Sequence, residues 1–167
     1  MNEKDLVKRA RAGDKSAFSQ LYMNRRDSLY RYAYFKLGSS HDAEDAVSAC
    51  IVAAYTGIST LKSEKAFTGW LFRILYRECC AVIRRRSERQ GEESLEERND
   101  LYVCDSHLAP ELSEALSQLS AEERDIVLLS AVAGYKSGEI AEMLGLKPAT
   151  VRSKLSRALA KMRSFLE

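Results

Sequence analysis

Residues 137–162 read SGEIAEMLGLKPATVRSKLSRALAKM. Two apolar-periodic segments flank Gly145 and Pro148. In the first, Ile140 and Leu144 are core positions one turn apart, and Ala141 is small where a second helix would cross. Ser137 is a candidate cap, with Glu139 in the first turn, where the helix dipole favours an acid. Gly145 can take the left-handed conformation that ends a helix. Pro148 suits the first turn of the next one, where its missing N–H is not needed. At the helical repeat, Val151, Leu155, Ala158, Leu159 and Met162 fall within an arc of about 100°, the width of a core-facing stripe. Opposite lie Ala149, Ser153, Ser156, Arg157 and Ala160, flanked by Arg152 and Lys154. A short helix, a Gly-containing turn and a second amphipathic helix form the helix-turn-helix pattern.

That outer face carries usable chemistry. The second helix of the motif enters the DNA major groove, where Arg reads acceptors bidentately and Ser or Thr pairs with either kind of group. Lys and backbone amides hold phosphates. Residues 145–167 contain six Lys/Arg and one acid, Glu167. The candidate groove-reading set is Thr150, Arg152, Ser153, Lys154, Ser156 and Arg157. A plain solvated basic face is the competing reading, and the Ala141–Gly145–Val151 spacing weighs against it.

Outward from this motif the chain stays helical. There are two prolines and eight glycines, and little β-type alternation. Leu6 and Ala10, then Ala17, Phe18, Leu21 and Tyr22, have i, i+3, i+4 spacing, with Gly13-Asp14 as a break. Leu29, Tyr32, Ala33 and Leu37 continue one face. Gly38-Ser39-Ser40 is a stop, with Ser40 or Asp42 available to cap a helix from Asp42 to Tyr55. Residues 57–65 read as a loop. A helix from about Ala66 to Arg86 carries Phe67, Trp70, Leu71, Ile74, Leu75 and Ile83. The predicted fold is all-α: two small helical domains, 1–87 and 110–167, joined by an acidic, flexible linker at 88–109.

Charge divides along the same lines. Residues 1–87 hold 16 Lys/Arg against 9 Asp/Glu, and residues 88–114 hold 2 against 9. So polar a stretch cannot bury enough surface to form a core alone. Cys50, Cys79, Cys80 and Cys104 make no C-x-x-C pair, so no metal site and no cofactor are expected, only cytosolic thiols. The N-terminus has no signal-peptide core and no apolar run spans a bilayer, which predicts a cytoplasmic protein without membrane insertion. His41 and His107 lie apart, and neither G-x-S-x-G nor a P-loop occurs, so no enzyme is expected.

Taken in order, these segments resemble a bacterial RNA polymerase sigma factor of the small, extracytoplasmic-function type. LSQLSAEERDIVLLSAVAGYKSGEIAEMLGLKPATVRSKLSRALAKMR (116–163) resembles the family's C-terminal domain, which recognises the −35 promoter element. DAEDAV (42–47) and FTGWLFRILYRECCAVIRRR (67–86) resemble the N-terminal domain, which binds core polymerase and opens the −10 element. GDKSAFSQLY (13–22) falls in segments resembling the opening helices.

The resemblance implies partners and further site residues. Core RNA polymerase and promoter DNA are the expected partners, and an anti-sigma factor is admitted as a third. Polymerase contact falls to Asp42, Glu44, Asp45, Ser48 and Ile51. The −10 strand, with a flipped base, falls to Ser59, Thr60, Lys62, Ser63 and Lys65, followed by Trp70, Arg73 and Arg77. Trp70 also reads as core. After DAED the family usually shows Gln-Glu-x-Phe; here Ser48-Ala49-Cys50-Ile51 stands instead, which predicts weaker polymerase binding. The alternatives are a helix-turn-helix regulator, or a sigma-like protein with weakened core-polymerase binding.

Overall fold

A computed structural model describes residues 2–89 and 109–167. Residues 90–108 of the acidic segment, with Cys104 and His107, lie outside the described residues. Four helices build the N-terminal unit: α1 (Glu3–Arg11), α2 (Lys15–Leu37), α3 (Ser40–Gly57) and α4 (Phe67–Arg89). Four more build the C-terminal unit: α5 (Pro110–Ser117), α6 (Ala121–Ala131), α7 (Ser137–Leu144) and α8 (Pro148–Leu166).

In the N-terminal unit α3 packs between α2 and α4. Its buried residues are Ala43, Ala46, Val47, Cys50 and Ala54, small side chains at helical spacing that let both neighbours approach. Leu21, Leu29, Tyr32 and Leu37 face them from α2, and Phe67, Leu71, Phe72 and Leu75 from α4. Asp14 caps α2 by accepting the Ala17 N–H at 3.1 Å.

Three local expectations need correction. Gly38 adopts φ 73° and ends α2, which leaves Ser39 extended, its hydroxyl accepting the Asp42 N–H at 3.3 Å; Ser39, and not Ser40 or Asp42, caps α3. The residue before α7 is Lys136, not Ser137, and its backbone N–H donates to the Glu139 carboxylate at 3.0 Å. The 57–65 loop contains a 3-10 turn, Ile58–Thr60, and a second, Glu64–Ala66, runs into α4.

The C-terminal unit packs α8 against α5, α6 and α7. Ser120 and Glu123 close a reciprocal cap at 3.1 and 3.0 Å at the start of α6. Arg124 is buried and donates to the carbonyls of Leu116 (3.2 Å) and Leu119 (3.0 Å), satisfying the end of α5. Gly145, at φ 70°, terminates α7. The stripe of α8 is narrower than expected. Val151, Ala158 and Met162 are buried, whereas Leu159 is 39% exposed, rotated out of the contact by its position one residue past Ala158.

The two units touch. α2 packs on α6, where the Lys36 ammonium pairs with the Asp125 carboxylate; the Lys36 side chain is 4% exposed.

Candidate nucleic-acid interface

On α8, Arg152, Ser153, Ser156 and Arg157 are exposed, with the small Ala149 and Ala160 beside them. Thr150 is half-buried. Lys154 stands apart from this set because its ammonium is held by Glu122 of α6. Lys161 is likewise tied to α6, at 3.2 Å from both Glu123 oxygens. Burial disfavours the Glu123 carboxylate, but the Ser120 backbone N–H and the Lys161 ammonium outweigh it and hold the pKa below the ordinary range. The outer face thus keeps two guanidinium groups and two hydroxyls open to solvent.

The second cluster lies at the start of α4. Ser59, Thr60, Lys62, Ser63 and Lys65 are exposed, and Trp70 and Arg73 are half-buried. Trp70 packs on Phe67 with ring centroids 6.2 Å apart, so it serves the core with one face. Its remaining surface, with Thr60, Lys62, Lys65 and Arg73, lines a cleft of about 450 Å³. The opposite wall comes from the C-terminal unit: Tyr135 and Glu139. Arg77 lines a neighbouring cleft with Arg73, facing Glu142 and Met143 of α7. Ser59 and Ser63 are not among the residues lining either cleft. The Thr60 hydroxyl donates to the Gly57 carbonyl at 2.6 Å. Burial pushes the Tyr135 phenol up to about 12 against the pull of Arg73, so at neutral pH it remains a proton donor, and it donates to the Gly69 carbonyl.

The residues expected to meet polymerase divide among different tasks. Asp42 turns inward to Arg86, at 2.9 Å from Nε and 2.5 Å from Nη2. Asp45 lies 3.5 Å from His41. Ile51 is half-buried against the core. Glu44 and Ser48 are exposed and border a groove between α2 and α3 with Tyr22, Arg26 and Tyr30. Val52 and Tyr55 extend the same face one and two turns on, 68% and 48% exposed. Sequence reasoning missed these two; their 44, 48, 52, 55 spacing was the available signal.

Two of the described thiols, Cys50 and Cys79, are sealed in the core. Cys50 is buried and donates to the Leu71 carbonyl at 3.7 Å, and burial pushes its pKa to about 12. Cys79 is buried and shifted upward for the same reason.

Comparison with known proteins bears on what these faces are. Residues 21–89 match the family described as Sigma-70 region 2, and residues 110–162 the one described as Sigma-70, region 4. The ECF (extracytoplasmic-function) RNA polymerase sigma factor SigM of Mycobacterium tuberculosis is 32% identical over 160 residues, covering 93% of this chain and 80% of SigM.

The chain belongs to the ECF family of RNA polymerase sigma factors.

The fold agrees with that membership. CnrH, a sigma factor of Cupriavidus metallidurans solved in complex with the cytosolic domain of CnrY, superposes with a TM-score of 0.70 at 26% identity, covering 98% of this chain and 96% of that one. RpoE, solved in complex with the anti-sigma factor NepR from Bartonella quintana, shares the fold at a TM-score of 0.71 and 21% identity, over 89% of this chain and 96% of that one. Sigma factors are transcription initiation factors that bind core RNA polymerase and promoter DNA. In this one, no helix among the described residues is long and apolar enough to cross a membrane.

Proposed function

We propose that this sigma factor docks on core polymerase through the exposed face of α3, reads the −35 element with α8, and holds the −10 strand with residues 59–65 and the start of α4. The observation that carries this reading is the order of the two family matches, 21–89 then 110–162, combined with an open Arg/Ser face on the helix-turn-helix. Residues 1–87 form the polymerase and −10 unit, 88–109 the tether and 110–167 the −35 unit. On α8, Arg152 and Arg157 read bases, while Thr150, Ser153 and Ser156 supply shorter donors. Lys154, tied to Glu122, is the weakest member of the set.

On α3 the contact has moved from the Gln-Glu-x-Phe positions. Ser48-Ala49-Cys50-Ile51 offers little, because Cys50 is buried and Ile51 half-buried. Val52 and Tyr55 supply the exposed apolar surface instead, with Glu44 and Ser48 at its edge. The protein acts in the cytoplasm, where polymerase and promoters are. An anti-sigma protein is a further partner, on the analogy of the complexes in which CnrH and RpoE were solved.

Run-off transcription with purified core polymerase on a genomic promoter library tests the whole reading. Discrete transcripts that depend on the added protein are expected. Binding to DNA without core polymerase binding or transcripts would make the chain a plain helix-turn-helix regulator.

A further inference from the structure

We infer that α1 completes the −10 site: Glu3 and Arg11, at its two ends, are positioning residues that hold the strand-binding loop 59–65 in its working shape. This rests on the assignment of that loop to the −10 strand. The match to Sigma-70 region 2 begins at residue 21, so α1 lies outside it.

The loop has little to hold itself with. Its two 3-10 turns, Ile58–Thr60 and Glu64–Ala66, are three residues each, in a geometry with poorer hydrogen bonds than the α-helix. Ile58 and Leu61 are buried and anchor the first half. The second half has no such anchor. Lys62, Ser63, Lys65 and Ala66 are exposed, and Glu64 is half-buried. The placing of Lys62, Ser63 and Lys65 therefore depends on a polar tie.

α1 supplies that tie. The helix buries Leu6, Val7 and Ala10 and packs against both turns. At its C-terminal end the Arg11 guanidinium donates to the Glu64 carboxylate at 3.1 Å. At its N-terminal end Glu3 accepts from Arg25 of α2 at 3.0 and 2.5 Å. The same guanidinium donates to the Thr68 hydroxyl at 2.9 Å, and Thr68 donates to Glu3 at 3.4 Å. From Glu3 to Arg11 is ~12 Å along the axis at about 1.5 Å per residue. The two ties thus bracket the second turn and its run into α4, at Glu64 and Thr68. The strut is itself closed at both ends: Asn2 accepts the Asp5 N–H at 2.9 Å, and Arg9 donates to Asp14 at 2.9 Å.

Charge gives Arg11 a second task. Glu64 stands between Lys62 and Lys65, the cations assigned to the strand. An unpaired carboxylate there opposes the phosphates that the lysines attract, and the Arg11 guanidinium offsets it.

The test uses the full chain, with Arg11→Ala, Arg11→Lys, Glu3→Gln, the double variant Glu3→Gln/Arg11→Ala and the reference Lys62→Ala/Lys65→Ala. Circular dichroism checks helicity and melting. Hydrogen exchange with mass spectrometry reads the loop amides, and fluorescence anisotropy with a single-stranded 20-mer pool reads DNA affinity. Arg11→Ala and Glu3→Gln are each expected to speed loop exchange about two- to fivefold and to weaken single-strand binding by a similar factor, the scale of a half-exposed ion pair. Helicity stays that of wild type. Arg11→Lys recovers most of both losses, and the double variant multiplies them, because the two ties are far enough apart to act independently. Wild-type exchange and affinity in Arg11→Ala, with binding still weakened in Lys62→Ala/Lys65→Ala, would overturn the positioning role. Faster exchange at wild-type affinity would overturn it too, leaving α1 a support of the fold alone. Weaker binding without faster exchange would make Arg11 a direct strand contact instead. No loss of binding in Lys62→Ala/Lys65→Ala would locate the failure in the −10 assignment, and the role would fall with it.

Discussion

The Tyr135 hydroxyl donates to the backbone carbonyl of Gly69, 66 residues earlier in the chain. A Cβ on Gly69 would meet the Tyr135 ring at 3.5 Å, which is ordinary contact distance. Gly69→Ala is therefore tolerated, whereas Gly69→Leu has no room and pushes Tyr135 away. The expected result for Gly69→Leu is a larger radius of gyration with unchanged helicity. The same dimensions as wild type would show that the two units are not seated on each other at this point.

On α8 the structure separates cations that the sequence ranks together. Arg152→Ala or Arg157→Ala should weaken binding to a duplex carrying the cognate −35 element by about 1–3 kcal/mol where the contact is bidentate to guanine. Lys154→Ala should cost less, because Glu122 already holds that ammonium. Equal losses at all three positions in an anisotropy titration would mean that Lys154 leaves Glu122 to bind DNA.

The α3 face makes a separate prediction. Val52→Asp places a charge in the exposed apolar patch, and Tyr55→Ala removes part of it. Both should lower affinity for core polymerase at least about tenfold, the scale of a lost buried anchor at an interface. Duplex −35 binding should be unaffected. Retained polymerase affinity in both variants, read by co-purification and titration, would move the docking face off Val52 and Tyr55.

The cap of α6 titrates. Glu123 has its pKa held below the ordinary 4.5, so the carboxylate favours the folded form at pH above that value, and the benefit is lost as pH falls through the lower folded value. Ser120→Ala should destabilise the C-terminal unit by about 1 kcal/mol near neutral pH. Glu123→Gln should be destabilising at pH 7, and the gap should narrow as pH falls below 4.5 towards the lowered folded value. Thermal unfolding across that range checks it; a gap that stays constant down to pH 3 would remove the charge from the account.

What was legible in the sequence follows the range of the forces involved. The stripe of α8 could be read because burial of Val151, Ala158 and Met162 repeats at the helical period, a property of neighbours three and four residues apart. The exposure of Arg152, Ser153, Ser156 and Arg157 follows from the same period. The caps lie earlier than residue type suggests, at Ser39 and not Ser40 or Asp42, and at Lys136 and not Ser137, because a cap depends on which residue turns extended. Leu159 was placed inside because hydrophobicity sets only the centre of a stripe, and its edges depend on where α5 and α6 stop.

Helix order, the helix-turn-helix and the arginine-serine face of α8 are thus consequences of local period and side-chain chemistry, and one chain suffices to read them. The partners of charged groups are not. Lys36 looks like one more basic residue until α6 brings Asp125 to it, and Arg73 and Arg77 look like open phosphate contacts until α7 brings Glu139 and Glu142 into the same clefts. Electrostatic pairing acts through space, between residues whose separation along the chain carries no signature, so the closure of one unit on the other emerges only when the helices are packed.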